Sequence, residues 1–156
     1  MERNAEDFAK KYEQVYQDMF RFALYTLKNR QDAEDIVSEA VLDAWKAIDT
    51  LRNEDAFRAW IFRILSNKCR QKLKSYLNRM LDLPADLAWR ERDTEEDMDV
   101  RVAFYKLNDG ERLILSLNLF AGYTSGEIAE MLDMNANTVR STQSRALKKM
   151  EDLLML

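Results

Sequence analysis

The chain reads as an all-α protein made of two small helical domains. An N-terminal three- or four-helix bundle is followed by a C-terminal helix-turn-helix domain, and a flexible acidic linker joins them. Three observations predict this. Apolar residues recur at steps of three and four through most of the 156 residues. Only 3 Gly and 1 Pro punctuate them. The single Pro falls in MLDLPADLAWRERDTEED, a stretch without a sustained apolar period that ends in acids.

Phe8, Tyr12, Val15, Tyr16, Met19, Ala23 and Leu27 place a first amphipathic helix over about 5–28, with Asn29 as its stop. Ala33, Ile36, Val37, Ala40, Val41, Ala44, Trp45 and Ile48 give a second over about 32–49, with Asp32, Glu34 and Asp35 near its positive N-terminal end. A polar stretch carrying Asn53 and Asp55 as caps precedes a third, from Phe57 to Tyr76 or Leu77. These helices form domain 1–79, and 80–97 is the linker. Within domain 98–156, Val100 to Leu107 and Leu113 to Phe120 suggest two short helices. A Gly-Tyr-Thr-Ser turn then precedes Ile128, Ala129 and Leu132.

Composition narrows the chemistry. With no His and a single Cys69, the chain cannot build Ser-His or Cys-His catalysis, an internal disulfide or a thiolate zinc site, so neither an enzyme nor a cofactor is expected. No apolar run reaches the roughly 18 residues of a membrane span, and the opening MERNAEDFAKK is unlike a secretory signal; a cytoplasmic protein without membrane contact is expected. The net charge of −4 argues against holding DNA by bulk electrostatics. Positive charge is instead concentrated: residues 52–79 carry 8 basic against 2 acidic residues, and 138–149 carry 4 against none.

Each concentration has a pattern. In SGEIAEMLDMNANTVRSTQSRALKKM a short helix, a tight turn and a longer helix follow one another, with Ile128, Ala129, Leu132, Met134 and Val139 where two crossing helices touch. Asp133 occupies the corner that often needs a left-handed residue, and Asn137 or Thr138 can cap the second helix. A helical wheel puts Val139, Ala146, Leu147, Met150, Leu153 and Leu154 on one side and Arg140, Ser141, Ser144, Arg145 and Lys148 on the other, the candidate reader of a DNA major groove. In the third helix Arg63, Asn67, Arg70 and Lys74 form a polar stripe bordered by Trp60, the combination a single strand requires, since cations follow phosphates and rings stack on bases. A solvated face for the cations and core packing for Trp60 are the plainer readings. Lys68, on the apolar side, is expected to snorkel.

These two segments, in this order and separated by a linker, resemble the extracytoplasmic-function sigma factors of the sigma-70 family. QDAEDIVSEAVLDAWKAIDTLRNEDAFRAWIFRILSNKCRQKLK is similar to the family's region two and LNDGERLILSLNLFAGYTSGEIAEMLDMNANTVRSTQSRALKKM to its region four. The resemblance implies a specificity subunit that brings bacterial RNA polymerase core to promoters and helps open them. It implies that Asp32, Glu34, Asp35, Ile36, Glu39 and Ala40 meet the clamp of the beta-prime subunit, with the beta flap a further contact. The loop Leu51 to Phe57, including Arg52 and Asn53, would capture a flipped minus-ten base, and Arg63, Asn67 and Arg70 would follow the melted non-template strand beside Trp60 and Lys74. Arg140, Ser141, Ser144, Arg145 and Lys148 would read the double-stranded minus-thirty-five element. An anti-sigma factor clamping both domains is a further implied partner. Three positions depart from the family: Thr142 stands where a second basic residue is common, Asn108 replaces a frequent proline, and Glu54 adds an acid to the minus-ten loop.

Other readings of the same residues are a dimeric helix-turn-helix repressor or activator, for which Arg63, Asn67, Arg70 and Lys74 would be idle, and a helical adaptor that binds protein alone. More distant is an enzyme holding Mg²⁺ on Glu95, Glu96, Asp97 and Asp99.

Overall fold

Helix α1 (Ala5–Leu27) begins where Asn4 Oδ1 accepts the N–H groups of Glu6 at 3.0 Å and Asp7 at 3.3 Å. It ends at Lys28, which turns left-handed at φ 60°. The expected stop, Asn29, caps the next helix instead: its short side chain accepts from Asp32 N at 2.9 Å and opens α2 (Arg30–Ala47). The structure, a computed structural model, describes residues 4–82 and 100–154, and the side chains of the third helix as far as Tyr76. Two 3₁₀ turns, Ile48–Thr50 and Glu54–Ala56, lead to α3 (Phe57–Asp82). Asn53 rather than Asp55 is the cap there, accepting from Asp55 N at 3.0 Å. Helix α3 outruns its expected end, because Leu77, Arg79, Met80 and Leu81 that follow Tyr76 are good helix formers. It takes in the first residues assigned to the linker. The rest of the linker and the acidic cluster Glu95, Glu96, Asp97 and Asp99 lie outside the described residues.

The second half holds α4 (Val100–Tyr105), α5 (Asp109–Leu119), α6 (Ser125–Leu132) and α7 (Ala136–Leu154). Asn108 does what a proline would do by other means: with Glu111 it forms a capping box, each side chain bonding the other's backbone N–H, at 2.8 and 3.0 Å. Thr124 and Glu127 repeat this at α6, after Gly122 turns the chain at φ 80°. Helix α7 starts ahead of the expected caps, since Asn135 Oδ1 already satisfies Asn137 N at 2.8 Å. Among the described residues no strand occurs and no helix is long and apolar enough to cross a membrane.

Alanines 33, 40 and 44 are fully buried along α2 and let α1 and α3 approach it closely. Phe8 meets Trp45 and Phe57 edge-on at 5.4 and 5.7 Å, and Phe22 meets Phe62 at 6.0 Å. Phe22, Phe62 and Phe104 are almost wholly inaccessible, each contributing about 1.5–3 kcal/mol by burial. The core does not stop at the junction of the halves. It continues through Leu113, Ile114, Leu117 and Tyr123 into Ile128, Ala129, Leu132 and Val139, while a smaller cluster gathers Phe104, Leu107, Leu115, Ala146 and Met150. Tyr25 of α1 touches Phe104 at 5.2 Å and Phe120 at 4.7 Å, and Phe62 of α3 touches Tyr123 at 6.2 Å.

Candidate nucleic-acid interface

The bihelical corner forms as its residue types demand. Ile128, Ala129, Leu132 and Val139 are buried where α6 crosses α7, and Met134 is half-buried. Asp133 holds φ 53° and ψ 51°, closing α6 with its N–H on the carbonyls of Ala129 and Glu130. Ser125 Oγ and Gln143 Oε1, 2.6 Å apart, tie the two helices on their outer side.

On α7, Arg140, Ser141, Ser144, Arg145 and Lys148 are all exposed. Arg140 donates to Asn137 Oδ1, Ser141 Oγ donates to Asn137 O at 2.9 Å, and Lys148 lies 3.4 Å from Asp152. Two residues depart from the wheel. Leu147, expected inside, is 46% exposed, because α4 and α5 cover only the Ala146–Met150 side of the helix. Thr142 faces inward at 8% exposure and accepts from Arg145 Nη2 at 3.2 Å, so a basic side chain is absent from a position that does not belong to the exposed face. The exposed Asn137 and Thr138, considered from sequence only as caps, add polar groups at the N-terminal end of α7, the end that reaches base edges in this motif. Lys149, one of the four cations of the segment, is half exposed but already paired within the protein. It donates to Glu111 at 2.8 Å; burial pushes the Glu111 carboxyl up, but the bonds from Lys149 and Asn108 outweigh it and hold the group below its usual range.

The second surface is α3 with the loop before it. Arg52, Asn53, Arg63, Asn67 and Lys74 are exposed, and Arg63 and Lys74 have no ion-pair partner among the described residues. Trp60 is half-buried, 6.0 Å from Phe57, with part of its ring against the core and part toward solvent. Arg70 is half-buried, its Nη1 donating to Leu132 O at 3.3 Å. Lys68 does not merely snorkel: it spans to α2, 2.7 Å from Asp43 and 3.9 Å from Glu39. Glu54 stands 3.8 Å from Lys11. Cys69 is buried, its thiol pushed far up by desolvation.

The residues expected at the clamp divide. Glu34, Asp35 and Glu39 are exposed, and Asp32 accepts from the Tyr76 hydroxyl. Ile36 and Ala40 are in the core, at 6% and 0% exposure, because the same spacing that aligns them with Ala33 and Ala44 turns them toward α1 and α3; they support this surface and do not face outward. What reaches outward beside the acids is Leu42, 53% exposed, at the edge of an open apolar cleft with Phe8, Tyr12, Val41 and Trp45. Its place two turns beyond Asp35 and one turn beyond Glu39 was a legible signal.

Residues 12–80 match the family model described as Sigma-70 region 2, and residues 103–152 that described as Sigma-70, region 4. The RNA polymerase sigma factor SigV of Bacillus subtilis is 32% identical over 137 residues, covering 86% of this chain and 82% of that protein. The ECF RNA polymerase sigma factor SigM of Mycobacterium tuberculosis is 26% identical over 150 residues, covering 94% and 76%. Among solved structures, the fold is similar to that of the sigma factor RpoE from Bartonella quintana, seen in complex with the anti-sigma factor NepR: TM-score 0.79, 22% identity, 97% of this chain and 99% of that one.

Proposed function

The chain belongs to the extracytoplasmic-function RNA polymerase sigma factors of the sigma-70 family, and from that premise we infer that it directs polymerase core to promoters and assists their opening. The observation that carries the reading is the pair of exposed cationic surfaces on one chain, one on α3 within the residues that match Sigma-70 region 2 and one on α7 within those that match region 4. Helix α7 enters the major groove, where Arg140 and Arg145 donate to guanine edges or phosphates, Ser141 and Ser144 add hydroxyl contacts, and Lys148 neutralises a phosphate. Arg63, Asn67, Arg70 and Lys74 follow the unpaired strand, and the loop holding Arg52 and Asn53 receives a base whose unstacking costs a few kcal/mol, with the outer edge of Trp60 beside it. The net charge of −4 suits a subunit delivered to DNA by a larger enzyme.

Glu34, Asp35, Glu39 and the exposed Leu42 are the proposed meeting surface for the polymerase clamp, with Asp32, Ile36 and Ala40 holding it in shape. An anti-sigma factor that covers both cationic surfaces is a proposed partner, supported by the complex in which the similar RpoE fold was solved. The repressor reading loses ground because it leaves unexplained a region-two match over residues 12–80.

Run-off transcription with purified core on a promoter library tests the reading: promoter-directed transcripts should appear only when the chain is added. Arg145→Ala should then cost about 1–3 kcal/mol at one base position, and Lys148→Ala should lower affinity across sequences while reducing the salt slope by about 1. A chain that forms no complex with core and starts no transcript overturns it.

A further inference from the structure

The first turn of α7 carries an amide that the fold leaves half unused. On residue type Asn137 is a cap, but Asn135 Oδ1 already accepts the Asn137 N–H at 2.8 Å, so the Asn137 side chain is released from the backbone. It is exposed, and so is Arg140 three residues on, the spacing at which helical neighbours share a face. Arg140 Nη2 donates to Asn137 Oδ1. A guanidinium has only hydrogens to give, so the atom it meets is the amide oxygen, and the Asn137 Nδ2 group is left as the free end.

We propose that Asn137 and Arg140 act as one donor-only unit that reads guanine in the double-stranded element bound by α7, which makes Asn137 a specificity-determining residue. The proposal deepens the promoter reading above and rests on it. A free asparagine pairs with adenine, because its amide accepts from N6 while it donates to N7. Here Arg140 occupies the accepting oxygen. What remains is Nδ2 beside the unused N–H groups of Arg140, and guanine, with acceptors at both O6 and N7, is the base whose major-groove edge takes two donors. Adenine would set its N6 hydrogens against a donor and leave them unpaired, which discriminates against the wrong base.

Ser141 does not blur this pattern. Its hydroxyl hydrogen is directed at Asn137 O at 2.9 Å, with Thr138 O at 3.3 Å, so it offers the groove an acceptor alone. A phosphate would also accept the hydrogens of Asn137 and Arg140, but two features favour a base. Asn137 is uncharged and neutralises no phosphate. It also stands at the end of the second helix that reaches base edges in a helix-turn-helix.

The test is selection of duplexes from a randomised library, by the chain with core polymerase and by the chain alone at low salt, for the wild type, Asn137→Asp and Arg140→Met. The wild type should select guanine at one position and bind about tenfold more weakly when that guanine is replaced by 7-deazaguanine, which lacks the N7 acceptor. In Asn137→Asp the donor becomes an acceptor while the oxygen facing Arg140 stays. Guanine should then lose a preference of about tenfold at that position to cytosine or adenine, whose amino groups donate. Arg140→Met frees Oδ1 and should turn the preference at the same position to adenine, with weaker binding overall. An acid is favourable in the first turn of a helix and Met is a good helix former, so neither change threatens α7. An unchanged preferred base in either variant, a uniform loss of affinity alone, or adenine at this position in the wild type overturns the proposal. Transcription from the selected duplexes with core polymerase reads promoter function separately: its absence alongside the base switch overturns the promoter reading alone, and a wild type that selects no sequence in either preparation overturns both.

Discussion

Replacing Arg112 by alanine should cost the folded state about 4 kcal/mol. The guanidinium is buried, with its side chain 3% exposed, and it donates to three acceptors: the carbonyl of Thr26 at 3.1 Å, the carbonyl of Leu107 and the carboxylate of Asp109. Burial pulls its pKa below the usual value and Asp109 pushes back, so the charge is retained at the expense of desolvation. Removing the side chain strands the carbonyls of Thr26 and Leu107 in buried surroundings at about 1–3 kcal/mol each; Asp109, half in water, loses little. For a chain of this size that is a fall in melting temperature of roughly 10 °C. Urea unfolding followed by circular dichroism reads it directly. Arg112→Lys, able to reach one acceptor at a time, should recover less than half. A loss below about 1 kcal/mol for the alanine variant would show that the carbonyls find other donors and that the bonds are incidental.

Two further outcomes are expected. Because the folded-state pKa of Glu111 is depressed, its contribution to stability is complete above the unfolded value of about 4.3 and is lost as pH falls through the lower folded value. Glu111→Gln should therefore flatten the acid limb of a stability–pH curve below about pH 4, though not abolish it, since the exposed Glu127 is shifted the same way; an acid limb identical to wild type contradicts this. At Asp133, held left-handed at φ 53°, valine should destabilise by about 1–2 kcal/mol in urea, whereas glycine should match or exceed wild type; equal stabilities for the two would remove the conformational argument.

Much of this architecture was legible because helical periodicity is a strong signal. The first three helices, the corner at Asp133 and the exposed faces of α3 and α7 follow from residues three and four apart. The misplacements share a cause. Asn29, Asp55, Asn137 and Thr138 were candidates on residue type alone, and the chain chose among neighbouring capping residues by backbone geometry that composition does not encode. A wheel likewise cannot say which part of an apolar face meets a neighbour. Leu147 is therefore outside while Thr142 is inside, and Ile36 and Ala40 sit in the core although the acids around them are exposed. The bonds between the two halves, from Lys28 to Tyr105 O, Arg58 to Phe120 O, Arg70 to Leu132 O and Arg112 to Thr26 O, were illegible for a stronger reason: each joins residues at least 62 positions apart, and nothing local to Arg58 or Arg70 names the carbonyl it meets.

Only Lys28 and Asn29 separate α1 from α2, and both are committed, one to the left-handed exit and the reach to Tyr105, the other to opening α2. A residue inserted at this joint would have to displace either the left-handed exit at Lys28, with its bond to Tyr105, or the Asn29 cap on Asp32 N, at about 1 kcal/mol for a lost cap. Length variation and tags therefore belong elsewhere in the chain; in this hairpin the number of residues is as tightly constrained as their identity.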